Sequence, residues 1–331
     1  MRRRDFIRAM AAGTATWPLT VRADQPTQVP LIGVLFADRA ESPFSRLFTS
    51  AFPKLINAGR GSARTEIQYR FSGGDTDATR TYARELIGLR PAVIVAVTNT
   101  SMAALHREAT SIPIVFVNVS DPVGTGIVES LSRPGHNVTG LTPFEPSLGS
   151  KWLSFLKQIA SSIDDVGVIF NPEPGNNSRG FLQALESAAP SLAVKRIVTP
   201  HTDSADIERT IVDLGKTSSS GLVFLPDALT YARRAEILQL IAKQHMPAIY
   251  PWRDFVVDGG LISYGPHEGY AAEMLRQTAN YVDRILNGEK PAEMPVQAPT
   301  KLILTINTRT AKTLGLDLPG SLMALADEII E

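Results

Sequence analysis

The chain contains no cysteine. That one absence removes disulfides, cysteine-based zinc sites and thiol nucleophiles together. Its five histidines, at positions 106, 136, 201, 245 and 267, show no metal-ligand spacing. Neither a G-x-S-x-G elbow nor a Walker phosphate loop occurs in it. Charge of either sign is not in excess: 33 basic residues face 33 acidic ones, which argues against a nucleic-acid-binding surface. A long apolar run is missing too. The weakly apolar stretch at residues 9–19 is too short and too interrupted for a membrane span. No metal and no cofactor are expected, and catalysis has few of its usual parts.

What remains is the profile of a soluble globular protein, with 44% hydrophobic and 20% charged residues. At 331 residues the chain exceeds one average domain, so two lobes are expected. Residues 1–23 read as an address. Arg3-Arg4-Asp5-Phe6-Ile7-Arg8 resembles the twin-arginine export motif, and Val21-Arg22-Ala23 offers a cleavage site after Ala23. The competing reading is a basic, disordered tail. Cleavage would take five arginines and one aspartate from the 33 of each sign, leaving 28 basic and 32 acidic residues, a net charge of −4. The destination is then the periplasm.

From residue 30 onward, apolar runs alternate with amphipathic stretches. Strands are predicted at 30–37, 65–71, 92–97 and 114–119, with helices at 45–57, 76–89 and from Met102 between them. The rhythm returns with helices at 150–159, 179–189, 204–214 and 230–244, and strands at 166–170, 193–198, 221–225 and 247–250. An extended run at 260–264, a long helix at 268–286, a strand at 302–306 and a helix at 308–314 follow. Strand–helix alternation means parallel sheets with right-handed crossovers. The fold class is therefore α/β, with two Rossmann-like lobes built on parallel sheets.

In open α/β sheets, ligands bind at the C-terminal edge of the strands. The polar groups that the pattern puts there are the candidates. In the first half these are Glu41 and Ser42, then Thr98-Asn99-Thr100-Ser101, then Ser120-Asp121. In the second half they are Asn171 with Asn176, Asp227, Tyr250 with Trp252, and Tyr264. A helix N-terminus lined with hydroxyls and amides suits a ligand carboxylate, because its free N–H groups and dipole favour negative charge. An aspartate on a facing loop, Asp227 foremost, suits an ammonium group. Tyr and Trp supply a flat wall or a cation–π face. Each has a structural alternative: Thr100 or Ser101 as a helix cap, Asp121 before Pro122 as a turn residue, Tyr250 and Tyr264 as packing residues. Ser120-Asp121 with a distant histidine would be the enzyme reading, which the sequence does not assemble.

The segment DPVGTGIVESLSRPGHNVTG, residues 121–140, resembles a signature of solute-binding proteins of ABC-type importers, in the subgroup with tryptophan/tyrosine-type binding proteins. Residues 259–265 resemble the central motif of that family and residues 306–316 its C-terminal one, in the right order. The resemblance covers essentially everything after residue 28. It implies a type I periplasmic-binding architecture in which hinge closure traps a ligand between lobes. The N-terminal lobe would comprise 28–140 plus 265–298 and the C-terminal lobe 141–262 plus 300–331. The three-segment hinge would lie near Gly140, Gly259–Ser263 and Ala298–Leu302. A small-molecule ligand, an amino acid or related compound, and an ABC permease in the inner membrane are the implied partners. A monomer is expected, and a non-enzymatic receptor. The chain departs from lipid-anchored family members in having no cysteine. A periplasmic sensor for a membrane signalling protein is the alternative, and a periplasmic enzyme the third reading.

Overall fold

The computed structural model describes residues 29–58, 64–108, 111–170, 178–200, 204–217 and 219–331. The first sheet holds β1 (Leu31–Phe36), β2 (Glu66–Phe71), β3 (Val93–Val97), β4 (Ile114–Val117) and β5 (Val138–Leu141). Their order is β2-β1-β3-β4-β5 and every pair is parallel. All residues of β3 and β4 are buried, as their unbroken apolar runs require of strands covered on both faces. Helices α1 (Pro43–Ala58), α2 (Thr76–Gly88) and α3 (Thr98–Arg107) are the crossovers. Strand β5 falls where the sequence suggests only a turn. Gly140 lets it approach β4, since a Cβ there would lie 2.1 Å from the Phe116 carbonyl oxygen.

The second sheet holds β6 (Asp165–Phe170), β7 (Lys195–Pro200), β8 (Ser220–Phe224), β9 (Ala248–Tyr250), β10 (Ile262–Pro266), β11 (Leu302–Asn307) and β12 (Glu328–Ile330). The order is β12-β11-β10-β9-β8-β6-β7. Its helices are α4 (Leu148–Ile159), α5 (Arg179–Ala188), α6 (Ser204–Leu214), α7 (Ala228–Ala232), α8 (Arg234–Lys243) and α9 (Arg253–Val257), followed by α10 (Tyr270–Leu286), α11 (Thr308–Thr313) and α12 (Gly320–Leu325). The predicted helix 230–244 is two helices, broken at Arg233. The expectation of wholly parallel sheets needs one correction: β10 and β11 are antiparallel. Between them the chain leaves for the first lobe and returns, so β11 enters the sheet from the opposite end.

Helix α10 explains that excursion. Its apolar stripe, with Tyr270, Met274, Val282 and Ile285, packs on the first sheet beside Phe48 and Phe52 of α1. Each such burial is worth about 1.5–3 kcal/mol, so the helix is firmly part of the first lobe. The chain thus passes between the sheets three times, at 142–147, 267–269 and 297–301. The second passage follows Pro266 and not Gly259–Ser263, because β10 is held on both sides by β9 and β11. The first and third passages are bound together. Gln297 N–H donates to Gly140 O at 2.9 Å, Thr142 N–H donates to Gln297 O at 2.8 Å, and Thr139 Oγ1 donates to Met294 O at 2.7 Å.

Candidate ligand-binding cleft

The C-terminal ends of β1, β3 and β4 form one edge of the first lobe. Thr98 leads directly from β3 into α3 with φ at 80°. A β-branched side chain at positive φ is a steric outlier that surrounding structure must enforce. The Thr98 Oγ1 is buried and has no hydrogen-bond partner among the described residues, and neither does Oγ of the fully buried Ser101. The residue capping α3 is Val97, which has no side-chain acceptor for the first-turn N–H groups. Two orphaned hydroxyls therefore lie at a helix N-terminus left open by its own sequence.

Asn99 does something different. Its Nδ2 donates to Ser120 O and its Oδ1 accepts from Ser120 N–H, both at 3.0 Å. This clamp fixes the end of β4 against the start of α3. Beyond it Asp121, at φ 47°, accepts from Gly124 N–H at 2.9 Å through Oδ1. Its Oδ2 lies against Gly180 of α5 in the second lobe, where a Cβ would sit only 2.5 Å away. Here the two lobes touch. At the end of β1, Asp38 is half-buried and makes no side-chain hydrogen bond or ion pair among the described residues. Burial raises its carboxyl pKa above the ordinary value.

Across the cleft, Asp227 ends the run after β8. Its two carboxylate oxygens accept from Leu229 N–H and Thr230 N–H, each at 3.2 Å, so it caps α7. Trp252 follows β9 and is half-buried, edge-on to Phe144 at 4.6 Å and to Tyr231 at 6.1 Å. The Tyr231 hydroxyl donates to Asp254, and its pKa is pushed up to about 12, mainly by burial and then by that carboxylate.

Against known families, the model for ABC transporter substrate binding proteins matches residues 55–330. The chain belongs to that family. A curated relative of this substrate-binding protein, the tyrosine-binding protein of Clostridioides difficile, is 25% identical over 76% of this chain and 71% of its own. Among solved structures, an ABC domain in complex with L-Trp from Streptococcus pneumoniae is 20% identical, with a TM-score of 0.78, covering 91% of this chain and all of that one. A conserved domain protein from Vibrio cholerae is 25% identical over 91% of this chain and 99% of that one, at a TM-score of 0.77. The two mostly parallel sheets are those of the type I periplasmic-binding fold.

In this substrate-binding protein the expected site residues divide clearly. Thr98 and Ser101 follow β3, Ser120 and Asp121 follow β4, and Trp252 follows β9, with Asn99 bracing Ser120 against the start of α3. Four expectations are corrected by packing. Tyr250 is a core residue, 1% exposed and stacked between Phe224 and Phe255. The Tyr264 ring turns to the other sheet face, against Phe155 of α4. Thr100 lines an outer groove of about 220 Å³ between α2 and α3 with Arg80 and Arg107. Ser42 caps its own helix, accepting from Ser45 N–H at 3.3 Å. Glu41 is exposed, and Asn171 and Asn176 lie outside the described residues. Asp227 is at the strand end but already engaged by its helix, so it does not stand free for an ammonium. Asp38 is the residue that the sequence reading passed over. Its signal was position: it is the second residue past a buried strand, in a loop where carboxylates ordinarily serve turns.

Proposed function

We propose that this chain is the periplasmic receptor of an ABC importer, taking a small amino acid or related compound into the cleft between its lobes. The observation that carries this is the start of α3. A strained Thr98 costs about 1–3 kcal/mol. Each buried unpartnered hydroxyl costs about 1–3 kcal/mol more. A ligand carboxylate accepting from the open first turn of α3, with the Thr98 and Ser101 hydroxyls turning to meet it as the lobes close, offsets those costs. The names of two relatives, a tyrosine-binding protein and a domain bound to L-Trp, agree with a ligand bearing that group.

In this reading residues 29–141 with 267–297 form one lobe, and 142–266 with 298–331 the other. They close about the three bound passages, and the closed form is presented to a membrane permease. The ligand shifts the equilibrium because its contacts to both lobes exist only when the cleft is shut. The protein acts as a monomer without turning its ligand over. Export runs through the twin-arginine route, so Arg3→Lys with Arg4→Lys is expected to stop periplasmic accumulation; normal accumulation refutes that part. The test of the whole reading is a thermal-shift screen of residues 24–331, refolded from denaturant to strip carried-over ligand. Amino acids should raise the melting temperature in a concentration-dependent way, and sugars, nucleobases and simple carboxylates should not. A shift confined to sugars, or turnover of any bound compound, overturns it.

A further inference from the structure

The cleft offers three aspartates at its strand ends, and their surroundings separate them. Asp227 has both oxygens on the amides of α7. Asp121 accepts from its own turn and lies against α5 of the other lobe. Asp38 alone has no bonding partner for its carboxylate among the described residues, although the residue is half out of water. Its place is rigid. Gly73 N–H donates to Asp38 O at 3.2 Å and Gly74 N–H donates to Ala37 O at 2.6 Å, from a turn where both glycines have positive φ. Phe36 and Phe71, stacked at 4.8 Å, close off the strand ends beneath it.

In the sheet β1 lies between β2 and β3, so the end of β1 that carries Asp38 neighbours the end of β3 that leads into α3. The register pairs Phe36 of β1 with Val97 of β3, which sets Thr98 level with Ala37 and Asp38 one residue beyond it. Adjacent strands lie about 4.8 Å apart. An α-amino acid carries its ammonium and its carboxylate on one carbon, a spacing that fits this neighbourhood. We infer that Asp38 is the partner of the ligand's ammonium group. The first lobe by itself then holds the whole zwitterion, and the second lobe, through Trp252, meets the side chain. This rests on the receptor reading above and adds to it the group that selects amino acids over plain carboxylic acids. An unpaired, half-buried carboxylate is what such a selector looks like before its ligand arrives, and burial raising its pKa is the mark of the desolvation a cation would relieve.

The test compares wild type with Asp38→Asn by calorimetric titration, after refolding, with two matched pairs of probes. These are L-tyrosine with 3-(4-hydroxyphenyl)propionate, and L-leucine with 4-methylpentanoate; the second of each pair lacks the ammonium. Wild type should bind one amino acid at least about 30-fold tighter than its deaminated partner, the lower bound for a desolvated charge pair. Asp38→Asn should lose that preference, bind the deaminated acid within about threefold of wild type, and keep or raise its melting temperature, because no native bond is broken. Wild-type binding of an amino acid that Asp38→Asn leaves unchanged overturns the Asp38 assignment and spares the receptor reading. Equal loss of both probes also overturns it, since that marks a general disturbance of the site. Failure of wild type to bind either amino acid overturns the inference for these ligands, and the thermal-shift screen then decides the receptor reading separately.

Discussion

Thr98 pays for its position in two ways, and glycine would pay in neither. At φ 80° the threonine is strained by about 1–3 kcal/mol, whereas glycine populates that region freely. Its buried hydroxyl has no partner, and removing it recovers about 1–3 kcal/mol of desolvation. Against this stand the lost γ-methyl, about 0.8 kcal/mol, and the extra chain entropy of glycine, about 0.5–1 kcal/mol. Taking the low end of each gain, Thr98→Gly should stabilise the unliganded protein by about 0.2–0.7 kcal/mol, on the order of 1 °C in a chain of this size. The same change should weaken the ligand by at least about tenfold, the worth of one hydrogen bond to a charged group. Thr98→Ser keeps the hydroxyl and should keep the affinity. Scanning calorimetry of refolded protein without ligand, with titration of L-tyrosine and L-tryptophan, reads both quantities. A lower melting temperature with unchanged affinity would refute the reasoning, because Thr98 would then be a structural residue and its strain unconnected with binding.

Substitutions at two further positions separate capping from contact. Asp227→Ala should cost about 1 kcal/mol of stability through the loss of the α7 cap, and Asp227→Ser should restore most of it. Both should leave L-tyrosine affinity within about threefold in titrations, and a larger loss in the serine variant would return Asp227 to the site. Gly180→Ala improves helix propensity by up to about 1 kcal/mol yet sets a Cβ 2.5 Å from the Asp121 carboxylate. The same Cβ would lie 2.8 Å from the Pro146 ring, so the unliganded melting temperature should fall slightly, while affinity falls at least about tenfold because the closed state becomes harder to populate. Equal affinity would mean that the contact between Asp121 and α5 has no part in closure.

The alternation of strands and helices was legible because parallel strands covered on both faces are written as unbroken apolar runs, as in β3 and β4. Short elements at the edge were not. Strand β12 has three residues and α12 has six, too few for either periodicity to show. Strand β5 hid in a segment rich in turn residues, and only the packed backbone reveals why Gly140 is there. The candidate site could be read as a set of strand ends but not as a set of side-chain directions. Tyr250 and Tyr264 both lie on strands at the correct edge, yet neighbouring rings take one into the core below α9 and the other against α4. Which carboxylate is free was equally hidden. Asp227 and Asp38 read alike in sequence, and only the amides around the first and the lack of partners around the second tell them apart.

A ligand held between the lobes should shut them. Solution X-ray scattering tests it most directly, on refolded residues 24–331 with and without a saturating amino acid taken from the thermal screen. The radius of gyration should fall with the amino acid present and stay the same with a compound that failed the screen. An amino acid that binds by calorimetry and leaves the radius of gyration unchanged would contradict it.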